Sequence, residues 1–544
     1  MTLPYRAVGP IRRLGGRLRG RIAIDTRSLA AFRASLGLLV LADLALRSRN
    51  FGPMYTDDGI VSESIARSGT AEGAISVFYL VSDPAAIATI LVVQAVVAVA
   101  LVVGYRTRAA TVVSFLLVVS LDHHNPFVLS YSDTLFRLLF FWAMFLPLGE
   151  RWSVDAVHRD QSPRPAVASV ATALALGQMV FMYLLNGIHK TESSLWRSGE
   201  AAVLVFGIDE MTFLLGDTMR AVPGLLEYGG LLWFLMLLGS PLLVLSWGRV
   251  RLAILALFVG GHASFALTVR IGAFAYVAIA GLSLFLPAVF WDSLVPAGRR
   301  ISTRIGRRVP GVARLAARGA VAAQRVRTAC GVRRLAGVLP DVRLFPRRLA
   351  WLRRAGYLLA VGAVVVALLL TVGVFLTSTG TVVDDGYDQH ALNDELSTHP
   401  AGEHVHTTAS ALGVTQPEWS VFAPHPRTTD RYYVFGGRTA DGDRLDVYND
   451  RAFTWERPGD ELQRQHGTYR ERFFMNSVRR GSVGGEVPAA YGDHICETYA
   501  DEYGIELSHV SMFEVTERIT EDTIDDHDDR ETERDHFHRH QCDT

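Results

Sequence analysis

Hydrophobic residues along this chain are gathered into nine runs that are separated by polar segments. Most runs approach the roughly 17 to 25 apolar residues that cross a bilayer as one helix. They lie near 28–46, 86–103, 109–122, 131–148, 166–188, 225–246, 252–269, 272–290 and 356–377. The third run is short and continues into LDHHNP, so it either begins earlier or is partly buried in protein. The pattern predicts an integral membrane protein.

The polar segments divide the chain into six parts. The fold class that we predict is an all-α polytopic membrane bundle, with eight spans plus a ninth after a basic linker, followed by a small α+β extramembrane domain. The predicted parts are a basic N-terminus (1–25), the membrane bundle (26–295), an Arg-rich linker (296–354), the ninth helix (356–377), the α+β domain (378–520) and a disordered tail (521–544).

The predicted α+β domain has several local signals. Two β-rich runs flank Asp441-Gly442, which indicates a hairpin. Helical patterns near 465–480 and 488–503 and a strand at 507–516 follow. The tail EDTIDDHDDRETERDHFHRHQCDT lacks the apolar content needed to fold. Its metal-binding residue types could hold an ion, but nothing fixes their geometry, so we predict a solvated tail and no metal site; they are His536, His538, His540 and Cys542.

Charge separates a basic membrane part from an acidic water-exposed part. Residues 378–544 contain 34 Asp/Glu against 15 Arg, a net charge of −19, which leaves +19 for residues 1–377. Arg residues cluster before the first run and after the second, fourth and sixth. Because Arg-rich loops stay in the cytoplasm, the sequence predicts a multi-pass cell-membrane protein with a cytoplasmic N-terminus and an extracytoplasmic C-terminal domain. We expect the basic part to contact the lipid bilayer and not nucleic acid.

The linker and the cysteines leave alternatives open. The linker 296–354 has 16 Arg and one acidic residue, with apolar residues interleaved. It is predicted to be either a basic amphipathic helix on anionic lipid or a solvated helical spacer. Cys330 is predicted to be cytoplasmic. Cys496 and Cys542 both lie in the exported domain, where a disulfide is permitted but not required.

Ionisable residues inside membrane helices are costly and mark either structural pairs or working sites. Arg33 and Asp43 are about 15 Å apart along one helix and cannot pair. Asp133 and Arg137 are one turn apart, so we predict a structural pair. A polar layer is predicted near the outer ends of three helices, and it consists of Asp122, His123, His124, Asn125, Asn186, His189, Lys190, His262 and Arg270.

Lys190 is the only lysine among 54 Lys plus Arg residues. One explanation is that it extends from the end of its helix toward water, as lysines at membrane edges do. The other is chemical, because a desolvated lysine amine can lose its proton and act as a base, whereas arginine stays protonated. A quinone-sized ligand entering from lipid would meet this layer, with Lys190 as base and His262, His124 or His123 relaying or stabilising charge. Each histidine could instead cap a helix or face water.

Four ordered motifs resemble a known family. They are AFRASLGLLVLADL (31–44), VVGYRTRA (102–109), FLPLGERWSVDAV (145–157) and YLLNGIHKTESSLWRSGEA (183–201). They are similar to motifs of the vitamin K-dependent gamma-carboxylase and its prokaryotic relatives, which share the horizontally transferred transmembrane (HTTM) domain. A fifth stretch, WSVFAPHPRTTDRYYVFGGRTADGDRLD (419–446), resembles the segment after the last span of the prokaryotic members.

The resemblance implies a mechanism and a site. In the carboxylase, the lysine matched by Lys190 deprotonates vitamin K hydroquinone, and oxygen converts the quinol into a strong alkoxide base. This base removes a proton from a glutamyl γ-carbon, and CO2 then adds to that carbon. The resemblance implies a reduced isoprenoid quinone, menaquinone or vitamin K-like, with O2 and CO2, and it places Asn186, Gly187 and Trp196 beside that cofactor. A protein or peptide at the outer face would be the substrate. The acidic domain does not resemble the carboxylase's substrate-binding region, so peptide carboxylation stays open.

Three classes of function remain. The first is a quinol-dependent membrane enzyme at the outer leaflet. The second is a non-catalytic receptor or scaffold whose bundle only displays the acidic domain. Transport is the weakest, since the sequence shows no pair of broken helices and no chain of midplane charges.

Overall fold

A computed structural model describes residues 16, 19–159, 162–294, 407–524 and 526–542. The predicted ninth span (356–377), the Arg-rich linker (296–354) and residues 1–15, 17 and 18 of the N-terminal segment (1–25) lie outside the described residues. Eight helices match the first eight hydrophobic runs: α1 (Thr26–Arg47), α2 (Pro84–Val103), α3 (Thr107–His124), α4 (Tyr131–Ala143), α5 (Val170–Lys190), α6 (Pro223–Leu238), α7 (Gly248–Thr268) and α8 (Phe274–Leu282).

Short helices connect these eight helices, and 3-10 turns occur both in the bundle and in the C-terminal part. The short α-helices are Phe51–Tyr55, Glu63–Ser68, Val154–Val157, Ser194–Ser198, Glu200–Phe206, Gly216–Arg220 and Leu242–Leu245. The 3-10 turns are Ser48–Asn50, Val77–Leu80, Pro126–Val128, Leu148–Glu150, Ser283–Phe285, Leu462–Gln465, Val483–Gly485 and Glu521–Thr523. A two-residue ladder pairs β1 (Ile24–Asp25) with β2 (Ala166–Val167) at one end of the bundle.

The membrane character is confirmed, but the number of spans is not. Within the described residues, four helices are long and apolar enough to cross a bilayer: α1 with its continuation to Tyr55, α2, α5 and α7. A fifth span results if the pair Phe274–Phe285 and Ala288–Leu294, bent by 99°, is counted as one. Helix α6 is apolar but shorter. The count of eight spans in this region therefore stays a prediction.

Local chemistry sets the helix ends. Helix α2 begins where the Asp83 side chain accepts the Ala86 N–H, with Pro84 in the first turn, and it ends at Gly104, whose φ is 70°. These are the residue types that favour helix starts and ends. Helix α5 begins with a capping box between Ser169 and Thr172.

Charged side chains inside the bundle have structural partners. The Arg33 guanidinium is buried and donates to the backbone oxygens of Leu148, Arg151, Val102 and Trp152 at 2.7 to 3.2 Å. It makes no pair with Asp43, as predicted, since Asp43 pairs with Arg47 and Arg470.

The predicted pair of Asp133 with Arg137 is wrong. Asp133 binds Arg470 at 2.9 Å, and Arg137 binds Asp122 at 2.5 Å. Asp133 also caps its own helix through Ser130. The partners come from other elements, so spacing along one helix could not identify them.

The C-terminal domain is an antiparallel sheet of order β5-β4-β3-β6-β7 with two helices. Its strands are β3 (Thr429–Thr439), β4 (Arg444–Asp446), β5 (Arg451–Ala452), β6 (Leu507–Arg518) and β7 (Thr532–Gln541), and its helices are α9 (Tyr469–Arg479) and α10 (Glu486–Tyr503). The predicted hairpin is β3–β4, with Gly442 at φ 93° in its turn. The two helices and the strand β6 also match their predictions.

The prediction of a disordered tail is wrong for the described residues after 521. Strand β7 pairs with β6 along its length, and Phe537 packs into the core of the domain. Cys542 forms a disulfide with Cys496 of α10. The Arg530 side chain is fully buried and bridges Asp209 and Asp430. Neighbouring elements, and not apolar residues of its own, therefore order this segment.

The C-terminal domain is attached to one end of the bundle. Helix α9 lies against the turn Pro126–Val128, where Ser477 donates to the Phe127 carbonyl. Arg470 enters between α1 and α4 to reach Asp43 and Asp133. A second contact joins Asp430 to the N–H groups of Asp209 and Glu210 at 2.7 and 3.0 Å. Burial next to Asp209 and Glu210 raises the pKa of Asp430 to about 7.

Candidate functional site

A cavity of about 450 Å³ lies at the end of the bundle that carries the C-terminal domain. Helices α5, α6 and α7 form its walls, and residues 419, 421 and 422 of the C-terminal part close it. Most of the lining is aliphatic or aromatic. The polar side chains that matter chemically are Tyr183, Asn186, Lys190 and His262.

Lys190 is the last residue of α5, and its side chain is buried, with 2% of the residue exposed. Its Nζ donates to the carbonyl oxygens of Val421 at 2.6 Å and Phe422 at 3.1 Å. It also lies 4.0 Å from the centre of the Trp196 ring. Within the described part of the chain, no carboxylate pairs with this amine. The amine does not extend into water, so the anchoring explanation has no support.

Asn186 and Trp196 bind the same stretch of backbone as Lys190. The Asn186 amide donates to the carbonyls of Trp419 at 2.6 Å and Val421 at 3.0 Å. The Trp196 indole donates to the Phe422 carbonyl at 2.8 Å. We call residues 419–422 the cover segment. Asn186 and Lys190 reach it together because residues four apart lie on one helix face.

Tyr183 and His262 form a second polar point in the cavity. The Tyr183 hydroxyl and the His262 Nε2 are 2.7 Å apart, and both side chains are buried. The rings of Trp233, Phe265 and Phe274 surround the imidazole. Its Nδ1 has no hydrogen-bond partner among the described residues. Tyr183 lies about 10 Å from Lys190 along α5, at roughly 1.5 Å per residue.

Two of the predicted histidines lie elsewhere. His123 Nδ1 is 3.1 Å from the Ile75 carbonyl, and His124 Nε2 is 2.9 Å from the Tyr55 carbonyl. Both are buried beneath the loop 48–85 and do not line the cavity. Both lie in the last turn of α3, as Lys190 lies in the last turn of α5, but they contact the loop and not the cavity.

Gly187 contributes to packing and does not line the cavity. A Cβ at this position would lie 3.0 Å from the Cβ of Leu237. The glycine therefore permits the close approach of α5 and α6. Its predicted contact with a cofactor is not found in this geometry.

The predicted polar layer is divided into separate groups. Asp122 pairs with Arg47 at 2.6 Å and with Arg137 at 2.5 Å, and it does not line the cavity. Arg270 donates to backbone oxygens of the C-terminal domain, among them that of Gln463. The members that meet in the cavity are Asn186, Lys190 and His262.

The cavity is open between α6 and α7. Its lining includes exposed residues on the facing sides of the two helices, which we call the mouth: Leu225, Gly229 and Leu232 on α6, and Ala256, Leu257 and Gly260 on α7. All are apolar, and α7 is long and apolar enough to cross a bilayer. Trp233 bridges the two helices deeper in the gap, against Gly261. A hydrophobic ligand could therefore reach the cavity from lipid.

Residues 22–290 match the family model of the HTTM domain. This region of the chain is an HTTM domain. The match runs from before α1 to beyond α8, so the family resemblance in the four motifs is confirmed. The HTTM domain indicates a membrane protein that is related to gamma-carboxylase. No curated protein and no solved structure matches the chain.

The cover segment lies outside the HTTM domain, yet it closes the cavity. Its side chains were missed as site residues, although the fifth motif begins at Trp419. Trp419 is fully buried, and the centre of its ring lies 5.9 Å from the centre of the Tyr131 ring. Trp419 and Phe422 both have left-handed backbones, with φ of 53° and 52°. This backbone is unusual for bulky residues, and the Trp419, Val421 and Phe422 carbonyls of the segment accept hydrogen bonds from Asn186, Lys190 and Trp196.

The lining fits the head of a lipid-soluble quinone. Such a head is a flat ring with oxygens on opposite sides, and the cavity offers aromatic walls with polar groups at two places. The buried Nδ1 of His262 has no partner in the described structure and is available to a ligand oxygen. The volume of about 450 Å³ lies within the range of roughly 300 to 1,000 Å³ that holds small ligands.

Proposed function

We propose that this protein is a membrane enzyme that uses a reduced isoprenoid quinone, with Lys190 as the base that takes a proton from it. The observation that carries the proposal is the buried Lys190 amine at a cavity that opens between two apolar helices. Lysine suits this role because an amine can give up and accept a proton, whereas a guanidinium cannot.

The surroundings of Lys190 suit both protonation states. A neutral amine has two N–H groups, which the Val421 and Phe422 carbonyls can accept, and one lone pair that is left for a proton. After the proton moves from a ligand hydroxyl to Nζ, the ammonium form has the same two carbonyls and the face of Trp196 at 4.0 Å. Carbonyl oxygens and aromatic faces both attract a cation. The base therefore needs no rearrangement to hold its proton.

The other cavity residues orient the ligand. Tyr183 and His262 can hydrogen-bond a ligand oxygen that lies away from Lys190, since His262 Nδ1 has no partner in the described structure. The apolar walls and the cover segment keep water from the amine. When bound, a hydroquinone would supply an acidic hydroxyl and the electrons for reaction with O2.

The resemblance to gamma-carboxylase extends the proposal to a protein or peptide substrate and CO2 at the outer face of the cell membrane. The C-terminal domain lies at the same end of the bundle as Lys190 and would meet such a substrate. Carboxylation is the finer part of the proposal. Quinol oxidation can be tested without it.

The test compares oxygen-dependent quinol oxidation by wild type, Lys190→Arg and Lys190→Ala in nanodiscs. Loss of a general base typically costs about 10²- to 10⁴-fold, and we expect both variants to lose at least this much. Arg249→Lys is the matched control. Arg249 is exposed in the first turn of α7 and does not line the cavity, so this variant should keep full turnover. Thermal unfolding of each variant verifies that it is folded.

An alternative is a non-catalytic receptor or scaffold that displays the C-terminal domain. The buried ion pairs that fix this domain to the bundle favour a rigid display. Undiminished turnover in folded Lys190→Arg, or no quinol oxidation by wild type, would leave this alternative standing.

A further inference from the structure

The mouth has an unusual composition for the facing sides of two helices. Gly229 of α6 and Gly260 of α7 line the cavity and are exposed. Glycine in a helix interior costs about 1 kcal/mol relative to alanine, so close packing is the usual reason to find it there. Close packing does explain Gly230 and Gly261, where an added Cβ would lie 2.6 Å from Ala202 and from the Trp233 ring.

Gly229 and Gly260 are different, because an added Cβ would have nothing within 4 Å at either position. Neither glycine is needed for helix contact. The absence of a side chain at these two positions keeps the edge of the cavity open. Leu225, Leu232 and Leu257 extend the same edge with about half of each residue exposed. Apart from the exposed Ser264 of α7, the exposed lining is therefore apolar, and it is continuous with the lipid-facing surfaces of α6 and α7.

The cavity itself is limited. A volume of about 450 Å³ suits a ring with a short substituent and cannot enclose a long polyprenyl chain. The inner boundary is closed, because Trp233 packs against Gly261 and the cover segment occupies the side of Lys190. The opening described above is where a chain attached to the ring can leave.

We propose that the ligand is an aromatic head with a long apolar tail, and that the tail passes between Gly229 and Gly260 into the bilayer. The inference rests on the proposed function for the identity of the ligand, and it adds the route that the tail takes. The two glycines then act as specificity determinants. They leave room in the mouth for the tail of a bound lipid, and a head that lacks a tail does not need this room once it is bound.

The test uses Gly229→Phe and Gly260→Phe, whose new side chains project into open space and so leave the helix packing intact. Gly177→Phe is the matched control, because Gly177 lies on α5, is exposed, has nothing within 4 Å of an added Cβ and does not line the cavity. Turnover is measured with a long-tailed menaquinol and with a menadiol that has the same ring and no tail. We expect kcat/KM for the long-tailed quinol to fall by about 10- to 100-fold in the mouth variants. We expect a much smaller loss for the tail-less quinol, which enters through the same mouth but leaves no chain in it, and no change for the control.

A second measurement does not depend on turnover. A menaquinone analogue with a photoreactive diazirine on its tail is bound to wild type and to Lys190→Ala, and the labelled peptides are identified by mass spectrometry. Labels should fall on α6 and α7 near Gly229 and Gly260 in both proteins, and they should be lost in Gly229→Phe. Labels elsewhere, or equal loss of both substrates in the mouth variants, would overturn the route. Labelling at the mouth without quinol oxidation by wild type would keep the route and refute the proposed enzyme.

Discussion

The Nζ of Lys190 and the carbonyl oxygen of Val421 are 2.6 Å apart, although 231 residues separate them in the chain. This bond joins the last residue of α5, inside the HTTM domain, to the cover segment outside it. Asn186 and Trp196 bind the same segment through its carbonyls. The HTTM domain therefore does not complete the cavity alone. The segment that leads into the C-terminal sheet is part of the site, and buried ion pairs fix that domain to the bundle.

Removing the Tyr183 hydroxyl should destabilise the protein from within the cavity. In Tyr183→Phe, the Nε2 of His262 loses its partner at 2.7 Å. An unsatisfied buried polar group costs about 1 to 3 kcal/mol, so thermal unfolding should occur at a lower temperature. Tyr276→Phe is the control, because Tyr276 is 53% exposed and surface changes stay within about 0.5 kcal/mol. Equal shifts in the two variants would contradict the role of the Tyr183–His262 pair.

Removing Arg470 should release the C-terminal domain from the bundle. Arg470 is buried and binds Asp43 and Asp133. Loss of one partner of a buried ion pair costs about 3 to 5 kcal/mol. The lower end is expected in Arg470→Met because Arg47 also contacts both carboxylates. Limited proteolysis should cut the domain from the membrane part faster in this variant.

Arg464→Met is the matched control for the release of the domain. Arg464 pairs with Glu461 on the surface, with 78% of its side chain exposed, and such pairs contribute less than about 1 kcal/mol. Its proteolysis should follow wild type. If Arg470→Met also resists cleavage, the ion pairs do not hold the domain in place.

The sequence was sufficient for elements whose own residues determine their structure. The hydrophobic runs located α1 to α8, and Asp441-Gly442 located the hairpin of β3 and β4. Strand β7 was missed because its sequence TERDHFHRHQ is polar. Pairing with β6 and a disulfide from α10 order it, and neither is visible in the local pattern.

The candidate site was predictable only in part. Position along a helix suggested one layer for Lys190 and His262, and both do line one cavity, but His262 pairs with Tyr183, about two helical turns from Lys190 along α5. Rotation about the helix axis depends on packing, so His123 and His124 were included although they face the loop 48–85. The cover segment could not be found from spacing at all, because it reaches the site from outside the bundle.

The stability of the C-terminal domain should depend on pH through His466. Burial lowers the pKa of His466 to about 4, and its Nδ1 is 2.9 Å from the Tyr448 hydroxyl. The unfolded chain binds a proton at this residue below about pH 6.5, whereas the folded chain does so only below about pH 4. The stabilisation is therefore complete above pH 6.5 and is lost as the pH falls toward 4.

His466→Gln removes this titration. The difference in unfolding temperature between wild type and His466→Gln should narrow as the pH falls from 6.5 to 4, by the equivalent of about 3 kcal/mol at most. His536→Gln is the control, because His536 is exposed on β7. A difference that stays constant over this pH range would show that His466 is not held neutral by the fold.

The three cysteines of this chain can report its orientation in the membrane without any added label site. Cys496 and Cys542 form a disulfide in the C-terminal domain, and disulfides persist in oxidising compartments outside the cytoplasm. Cys330 lies in the Arg-rich linker, which the distribution of Arg residues predicts to be cytoplasmic. The two predictions place the disulfide and the third thiol on opposite sides of the membrane.

A membrane-impermeant maleimide of high mass, applied to intact cells, distinguishes the two sides by shifts on a gel. Without reductant, we expect no shift, because Cys330 is inside and the other two cysteines are oxidised. An impermeant reductant should free Cys496 and Cys542 for labelling and add two shifts. The double variant Cys496→Ser/Cys542→Ser should show neither of them. Lysis should then add a third shift, which Cys330→Ser removes. Labelling of Cys330 on intact cells would reverse the orientation and place Lys190, with the C-terminal domain, at the cytoplasmic face.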